Sequence, residues 1–394
     1  MSYIPNLETP ITFDASNRMR VGSLTTLFDG KTLNVDDPLI WENVGTGTAT
    51  FSGNQVRMTV GSGQYMIRKS RRYLPYFSGK SQMVEITVDR FQTEANVVKR
   101  LGYFSSLSAA PYDTEYDGFW IENDGITHRL KAARSGTETV NIPMSAWSGY
   151  NSIINYDFSK FSVFIIDFLW LGGAALRLFM RTQNGLELVH SFTYPGTSEN
   201  TITSSPNHPL RYEIRSSTGT GTIDAICSQI STEGSIDESG KNRAIDMGSA
   251  ASTITTIGTA YPMLGIRLKP TQRDKSVSII GMQAFTSSND IMKISLILNP
   301  VITGAPSWTD VTNAAFQRGV PAGIGGTITS TLSGGSEIIS FMLAQNSIIP
   351  PDILTRDFLS SLGMSINGVS DEQRRGSAQD VSPRLDRQNN RDLG

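Results

Sequence analysis

The segment from Phe161 to Tyr194, FSVFIIDFLWLGGAALRLFMRTQNGLELVHSFTY, limits the possible folds more than any other part of the chain. Phe161, Val163, Phe164, Ile165, Ile166, Phe168, Leu169, Trp170 and Leu171 are β-branched, aromatic or long apolar residues, and Asp167 is the one charge among them. Such a run reads as a strand covered on both faces. Gly172 and Gly173 permit a tight reversal. Leu176, Leu178 and Met180 then alternate with Arg177, Phe179 and Arg181, which predicts a return strand with one face buried and one partly wet. After a turn at Gln183, Asn184 and Gly185, residues Leu186, Leu188, His190 and Phe192 alternate again. Three antiparallel strands in succession predict a meander at the centre of an all-β sheet.

Short strand patterns recur on both sides of this segment. Trp41 to Val60 alternates about the turn Gly53-Asn54, Tyr65 to Ser70 is strand-like, and Met83 to Phe91 turns Val84, Ile86 and Val88 inward with Glu85, Thr87 and Asp89 outward. Leu101 to Ser108 follows, then a hairpin from Gly118 to Arg134 that reverses at Asp124-Gly125. Leu210 to Ile214 and Ile223 to Ile230 close the series. Strands spaced every eight to fifteen residues or so predict a sandwich or jelly roll.

The organisation follows from composition along the 394 residues. Residues 1–23 lack the apolar content for a core of their own and read as a docking arm. Residues 24–233 form the jelly roll, and the small polar residues of 234–259 form a linker. Residues 260–349 carry a second, smaller β-domain, expected as a sandwich, with strands at Met263 to Leu268, Val277 to Phe285, Met292 to Leu298, Gly326 to Leu332 and Glu337 to Leu343. Within 350–370, Asp352 to Leu362 has a capping Asp, an apolar stripe and Gly363 as a stop, which predicts a short helix. Residues 371–394 form a polar tail with almost no apolar residue, expected to be disordered in water without a partner.

Composition excludes several functions. The 34 Lys and Arg nearly balance the 36 Asp and Glu, so no overall field argues for nucleic acid. A single cysteine, Cys227, rules out an intrachain disulfide framework and is expected as a small buried residue at a strand end. The N-terminal MSYIPNLETPITFD has neither the basic nor the apolar region of a signal peptide, and residues 161–171 are too few to cross a bilayer. The expectation is a soluble protein made in a cytoplasm, with no membrane partner and no nucleic acid.

Candidate chemistry is sparse. Asp113, Glu115, Asp117 and Gly118 match the opening of a calcium loop with Glu in the middle position, but strands flank them where helices should, so a solvated acidic loop is expected in place of a metal site. His128, His190 and His208 stand at no metal-ligand spacing. No nucleophile elbow, zincin, P-loop or dinucleotide fingerprint occurs, which argues against an enzyme and against a bound cofactor. A glycosidase would need two facing carboxylates, and the central strand offers only Asp167, read as capping or pairing at a bend. The run Arg68, Lys69, Arg71, Arg72 with Tyr73, Tyr76 and Phe77 is a short basic and aromatic cluster, suited to nucleic acid, to an acidic patch on a neighbour, or to solvation. Trp147, Tyr150 and Trp308 lie in polar loops where aromatics either stack on sugars or pack at a rim.

The segment FDASNRMRVGSLTTLFDGK, Phe13 to Lys31, resembles a signature near the N-terminus of tailed-bacteriophage virion proteins, of the form D-x-x-x-R-x-R-V-S followed by L-F-D. Asp14, Arg18, Arg20, Val21, Leu27, Phe28 and Asp29 fit it, and Gly22 stands where the pattern has a small polar residue. The resemblance continues through DGFWIENDG, FIIDFLWLGGAALRLFM, VHSF, LRYEI and the strand of Cys227, covering roughly residues 13 to 235. It implies a concanavalin-like β-sandwich and brings no catalytic residue. Within it, Arg18 and Arg20 are expected to pair with carboxylates of an adjacent subunit, while Leu27 and Phe28 anchor the arm. Arg374 and Arg375, with other arginines of the tail, suit contacts along a virion surface. The implied function is a non-enzymatic structural component of a phage virion, homo-oligomeric, decorating the capsid or forming part of the neck or tail. The alternative is a receptor-binding fibre or spike recognising host glycan, although no shaft of repeats or heptads is present.

Overall fold

The computed structural model describes residues 12–344, apart from 32–35, 171–174, 195–199, 235–242, 249–250, 273, 276, 278, 280–282 and 288–290. The Gly172-Gly173 turn, the helix expected at Asp352 to Leu362 and the tail arginines Arg374 and Arg375 lie outside the described residues. The strands, in chain order, are β1 Leu24–Asp29, β2 Trp41–Gly45, β3 Thr48–Ser52, β4 Gln55–Val60, β5 Tyr65–Ser70, β6 Gln82–Asp89, β7 Val97–Ser106, β8 Tyr116–Asn123, β9 His128–Arg134, β10 Thr137–Pro143, β11 Ser162–Leu169, β12 Ala175–Thr182, β13 Gly185–Thr193, β14 Leu210–Ser216 and β15 Gly221–Glu233. A four-residue helix, α1, covers Tyr150–Ile153. No helix among the described residues is long and apolar enough to cross a membrane.

These strands form two antiparallel sheets. One runs β13-β12-β11-β6-β15-β4-β3, with β1 also paired to β15, and the other runs β10-β9-β8-β7-β14-β5-β2. The fold is an all-β sandwich, as the strand spacing leads one to expect. Period-two alternation places one set of side chains from each sheet in a shared interior. Val84, Ile86, Val88, Phe164, Ile166 and Phe168 face Leu101, Tyr103, Phe119, Ile121, Tyr212 and Ile214 in a single core cluster. Phe168 joins the two layers, its ring 5.0 Å from that of Phe119 and 5.5 Å from that of Tyr103.

Several expectations need correction. The meander β11-β12-β13 is present, but it forms one end of its sheet, because β6 and β15 pair beyond it and occupy the middle. The return strand β12 is buried on both faces as far as Met180, since Arg177 and Phe179 are covered too. Asp167 lies within β11, paired in register with Arg177 and Met83, and not at a bend. Cys227 is exposed and mid-strand, because the register of β15 against β6 shifts between Ala225 and Ser228 and turns it outward. Trp147 is buried, its indole N–H donating to the Ile142 carbonyl at 3.1 Å.

The described chain divides into two compact units: Met1–Asp237 with Ile266–Val277 and Asp310–Gln317, and Glu238–Gly265 with Ser278–Thr309 and Arg318–Gly394. Beyond the sandwich, β16 Gly265–Leu268, β17 Met292–Leu298, β18 Val301–Thr303, β19 Ser307–Asp310, β20 Phe316–Val320, β21 Thr331–Ser333 and β22 Ser336–Leu343 make three small sheets in the orders β16-β20-β19, β17-β22 and β18-β21. In the second unit the Trp308 ring lies where a Cβ on Gly265 or Gly319 would come within 2.9 or 2.7 Å of it, so Trp308 packs on backbone.

Gly118 in β8 shows how tightly the sheet is set. Its φ is +123°, and a Cβ there would meet the Tyr103 carbonyl at 2.4 Å and the Phe104 Cα at 2.6 Å, both backbone atoms of β7. Gly118→Ala is expected to cost about 2–4 kcal/mol in urea denaturation, combining backbone strain and overpacking.

Candidate functional site

Residues Thr12 to Arg20 fold into a small hairpin. Phe13 bridges Met19, the Arg20 N–H donates to the Thr12 carbonyl at 2.9 Å, and Asn17 takes the left-handed conformation its turn requires. Asp14 shapes that turn: its Oδ1 accepts from the N–H groups of Ser16 and Arg18, and its Oδ2 accepts from Arg18 Nε at 2.6 Å. Ala15 packs on Leu169 and Ala175, on the side of β11 and β12 turned away from the core. Arg20, with 2% of its side chain exposed, donates to Asp167 Oδ1 at 2.6 Å, and Arg177 donates to Asp167 Oδ2 at 2.7 Å and to the Phe13 carbonyl. Ser81 adds a hydroxyl to Asp167 at 2.7 Å. Burial pushes the Asp167 carboxyl up, and the charges of Arg20 and Arg177 oppose it.

The carboxylates expected on a neighbouring subunit are therefore supplied by this chain itself. Arg18 pairs with Asp14, half of its side chain is exposed, and it donates to the Gly79 carbonyl at 2.9 Å. Phe28 is buried edge-on to Trp41 with ring centroids 5.3 Å apart, and Leu27 packs against the same core from β1. Arg20→Met would leave the fully buried Asp167 with one guanidinium, and a loss of about 3–5 kcal/mol is expected in denaturant unfolding, with tryptic cleavage at Arg18 accelerated as the hairpin lifts.

A second constellation occupies the outer face of the sheet β10-β9-β8-β7-β14-β5-β2. Cross-strand register places Ile67, Glu213, Arg100, Glu122 and Arg129 in one row over β5, β14, β7, β8 and β9, and Lys69, Arg211, Gly102, Trp120 and Lys131 in the next. Arg100 donates to Glu122 at 2.6 Å on one side and to Glu213 at 2.8 Å on the other. Glu213, with no exposed surface, also receives Arg211, Arg215 and the Tyr116 hydroxyl, the last at 2.8 Å. Lys131 reaches Glu122 at 3.0 Å. Aromatic rings pack around these charges: Trp120 lies 5.2 Å from Phe104 and 5.5 Å from Tyr116, and Arg100 stacks 5.0 Å over Tyr116. The loop after β7 closes over the row, as Arg215 donates to the carbonyls of Pro111 and Tyr112 at 2.6 and 2.9 Å.

Electrostatics fix the protonation of this face. Burial would raise Glu213, but Arg211, Arg100 and Arg215 bring it down to about 2. Glu122 is likewise held below the usual carboxylate range by Arg100 and Lys131 against the effect of burial. Burial lowers Arg100, and its two carboxylates more than reverse that, so its charge is secured. Retaining and inverting glycosidases both require one carboxyl raised enough to carry a proton. Neither Glu122 nor Glu213 meets that requirement.

Ser105, His208 and Asp117 also lie close together, but they are wired differently from a catalytic triad. Ser105 Oγ is 3.3 Å from His208 Nδ1, while His208 Nε2 is 2.8 Å from the Ser205 carbonyl and 3.6 Å from Asp117. Asp117 is saturated by the N–H and hydroxyl of Ser204, at 2.7 and 2.6 Å, and by the N–H groups of Ser205 and Ser135. All three side chains are buried, so the cluster ties β7, β8 and the segment before β14 together. The calcium pattern likewise yields no cage: Asp117 serves these donors, and among the described residues no group of three metal-ligating side chains converges. His128 is buried against Phe158, its ring 3.9 Å away, and burial lowers it to about 4 even though Nε2 lies 3.0 Å from the Phe91 carbonyl. His190 Nδ1 accepts from the Ser148 N–H at 3.2 Å.

The basic run divides by strand parity. Arg68 turns inward, pairs with Asp36 at 2.7 Å and stacks 4.3 Å over Trp41, whereas Lys69 and Arg71 turn outward. The outward pair borders a cleft of about 360 Å³ floored by Val44 and Ile67, with Arg72, Arg211 and Lys275 on its walls. The outer-face row and this cleft were not deduced from the sequence. Their signals were the alternation of Arg211, Glu213 and Arg215 in LRYEIR and the parity of Lys69 and Arg71.

No protein-family model and no curated protein matches the chain. Among solved structures, a Bacillus licheniformis β-glucanase aligns at 10% identity with a TM-score of 0.37, covering 54% of this chain and 99% of that one. The carbohydrate recognition domain of Emp47p aligns at 10% identity and 0.35, covering 54% and 97%, and the Ca2+-bound exoplasmic/lumenal domain of VIP36 at 12% and 0.34, covering 52% and 89%. At such values these likenesses carry no argument about the site.

Acid stability reports on the two titrating elements. A neutral His128 near 4, against an ordinary 6.5, stabilises fully above pH 6.5 and is lost as pH falls from there to about 4. Glu213 near 2, against 4.5, stabilises fully above pH 4.5 and is lost between there and about 2. Each contributes on the order of 3 kcal/mol. Unfolding free energies measured by denaturant across pH 7 to 3 are expected to fall in two stages, with His128→Phe reducing the first, which His190 and His208, both also lowered by burial, share.

Proposed function

We propose that this chain is a non-enzymatic structural component of a tailed-phage virion, assembled in many copies as a capsid-decorating or neck or tail accessory protein. The observation that carries the reading is that the signature residues Asp14, Arg18 and Arg20 act as one device. Asp14 forms the turn, Arg18 braces it, and Arg20 seats it on the buried Asp167. A pattern whose members cooperate structurally supports the resemblance better than matching letters do. Glu122 and Glu213 are held ionised, so neither can act as the proton donor of a glycoside cleavage, which supports the non-catalytic part. Leu27 and Phe28 serve in this reading to join the arm to the sandwich, and Arg18, half exposed beside Gly79, would be the arm residue that meets a neighbouring subunit. The protein would be made in the host cytoplasm and act in the particle.

A second reading, recognition of host glycan, is favoured by the basic cleft beside β5 and β14. The two separate in one experiment. The mass of the purified protein is measured by light scattering, and capsids stripped of accessory proteins are offered to it. Saturable binding to capsids by a monomer or small oligomer is the expected result. A stable trimer that ignores capsids and binds host cells would favour the second reading.

A further inference from the structure

The cleft bordered by β5 and β14 lies wholly within the first unit and has an unusual lining. Five of its residues, Lys69, Arg71, Arg72, Arg211 and Lys275, are cations, and no Asp or Glu lines it. Two of these are held in place from behind: Lys69 meets Glu42 at 3.1 Å, and Arg71 meets Glu42 at 3.8 Å and donates from Nε to the Pro38 carbonyl at 2.5 Å. Arg211 is positioned by Glu213 and by the Tyr112 carbonyl at 3.2 Å. Lys275 lies 2.7 Å from Asp274, which also accepts from the Ser205 hydroxyl at 2.8 Å. Outside the charge row, Lys69 and Arg71 thus share Glu42, and Lys275 meets Asp274. These cations border one cleft, and no carboxylate is among its lining residues.

The rest of the lining narrows the ligand. Val44, Ile67 and Leu268 supply an apolar surface, and Tyr73 and Tyr112 supply rings and hydroxyls. The volume is at the low end of small-molecule sites, which run from about 300 to 1,000 Å³. A nucleic-acid surface needs cations spread along a groove that tracks successive phosphates. Here the cations line a single cleft, in a chain whose formal charge is −2. We infer that this cleft binds an acidic saccharide, seating the carboxylate of a uronic-acid-type ring among Lys69, Arg71, Arg72, Arg211 and Lys275 and the ring's less polar face on Val44 and Ile67. Guanidinium and ammonium groups bind carboxylates through charge-assisted hydrogen bonds, and tyrosines suit the mixed polar and apolar surface of a sugar. The proposal deepens the glycan-recognition reading and rests on it.

The test is calorimetric titration of the full chain with an oligogalacturonide, its neutral galactose counterpart, inorganic phosphate and a single-stranded oligonucleotide. The variants Arg72→Gln and Lys275→Gln are titrated alongside. Neither substitution touches Asp167 or Glu213, and thermal melting checks that each variant folds. The expected result is saturable binding of the acidic oligosaccharide that weakens with added salt. The neutral sugar and phosphate should bind at least about tenfold more weakly, and each variant should lose roughly five- to tenfold in affinity at unchanged melting temperature. Equal binding of the neutral sugar or of phosphate, preference for the oligonucleotide, or unaltered affinity in both variants would overturn the proposal. Docking on capsids by a protein whose cleft binds no sugar would overturn it while leaving the virion assignment standing. Saccharide binding without capsid docking would do the reverse.

Discussion

The sandwich depends on carboxylates that have no contact with water and are paired with arginines. Asp167, Asp224 and Glu213 are fully buried, and each is held by at least two guanidiniums: Arg20 and Arg177, Arg57 and Arg90, and Arg100, Arg211 and Arg215. Removing a carboxylate from water costs several kcal/mol, and only close pairing with further hydrogen bonds offsets that cost. Each cluster therefore holds its surroundings to one arrangement. Around Asp167 it fixes the N-terminal hairpin on β11 and β12. Around Glu213 it pins the register of β14 against β7 and draws the loop after β7 over the sheet. Around Asp224 it joins β4, β6 and β15, where Arg57, Arg90 and Gln55 converge.

The same pairing sets the protonation of the carboxylates on the outer face. A catalytic carboxylate needs an environment that lets it change protonation near neutral pH. Glu213 is surrounded by three arginines and stays ionised far below that range. Arg211 links the two parts of this face, because it faces Glu213 on one side and lines the basic cleft on the other. The rigidity that burial imposes on the row thereby sets the position of one cleft cation, and preorganised cations lower the entropy cost of capturing an anion.

Much of the fold was legible because local chemistry specifies it. The Asp124-Gly125 and Gly53-Asn54 turns mark their hairpins, and the period-two pattern of Val84, Ile86 and Val88 marks an inward face. Pairing between distant strands was not legible. The placing of the meander at the sheet end follows from β6 inserting beside β11, a contact between residues some eighty positions apart, and β1 and β10 are strands only because β15 and β9 accept them. A bulge turns Cys227 outward where a buried strand end was expected, and strand parity divides a basic run that read as one cluster, sending Arg68 inward and Lys69 outward. Arg20 was legible as a docking residue, but its partner, Asp167, lies 147 positions away on a strand that looked like pure core.

The most direct measurement is a carbon-13 NMR titration of the glutamate side-chain carboxyls, with Glu213 and Glu122 assigned by substitution. The account requires Glu122 to titrate below the usual glutamate range and Glu213 to protonate near 2 or only on acid unfolding. A midpoint above about 6 for either group would make it a competent general acid and would contradict the account, in which arginine pairing holds both carboxylates ionised.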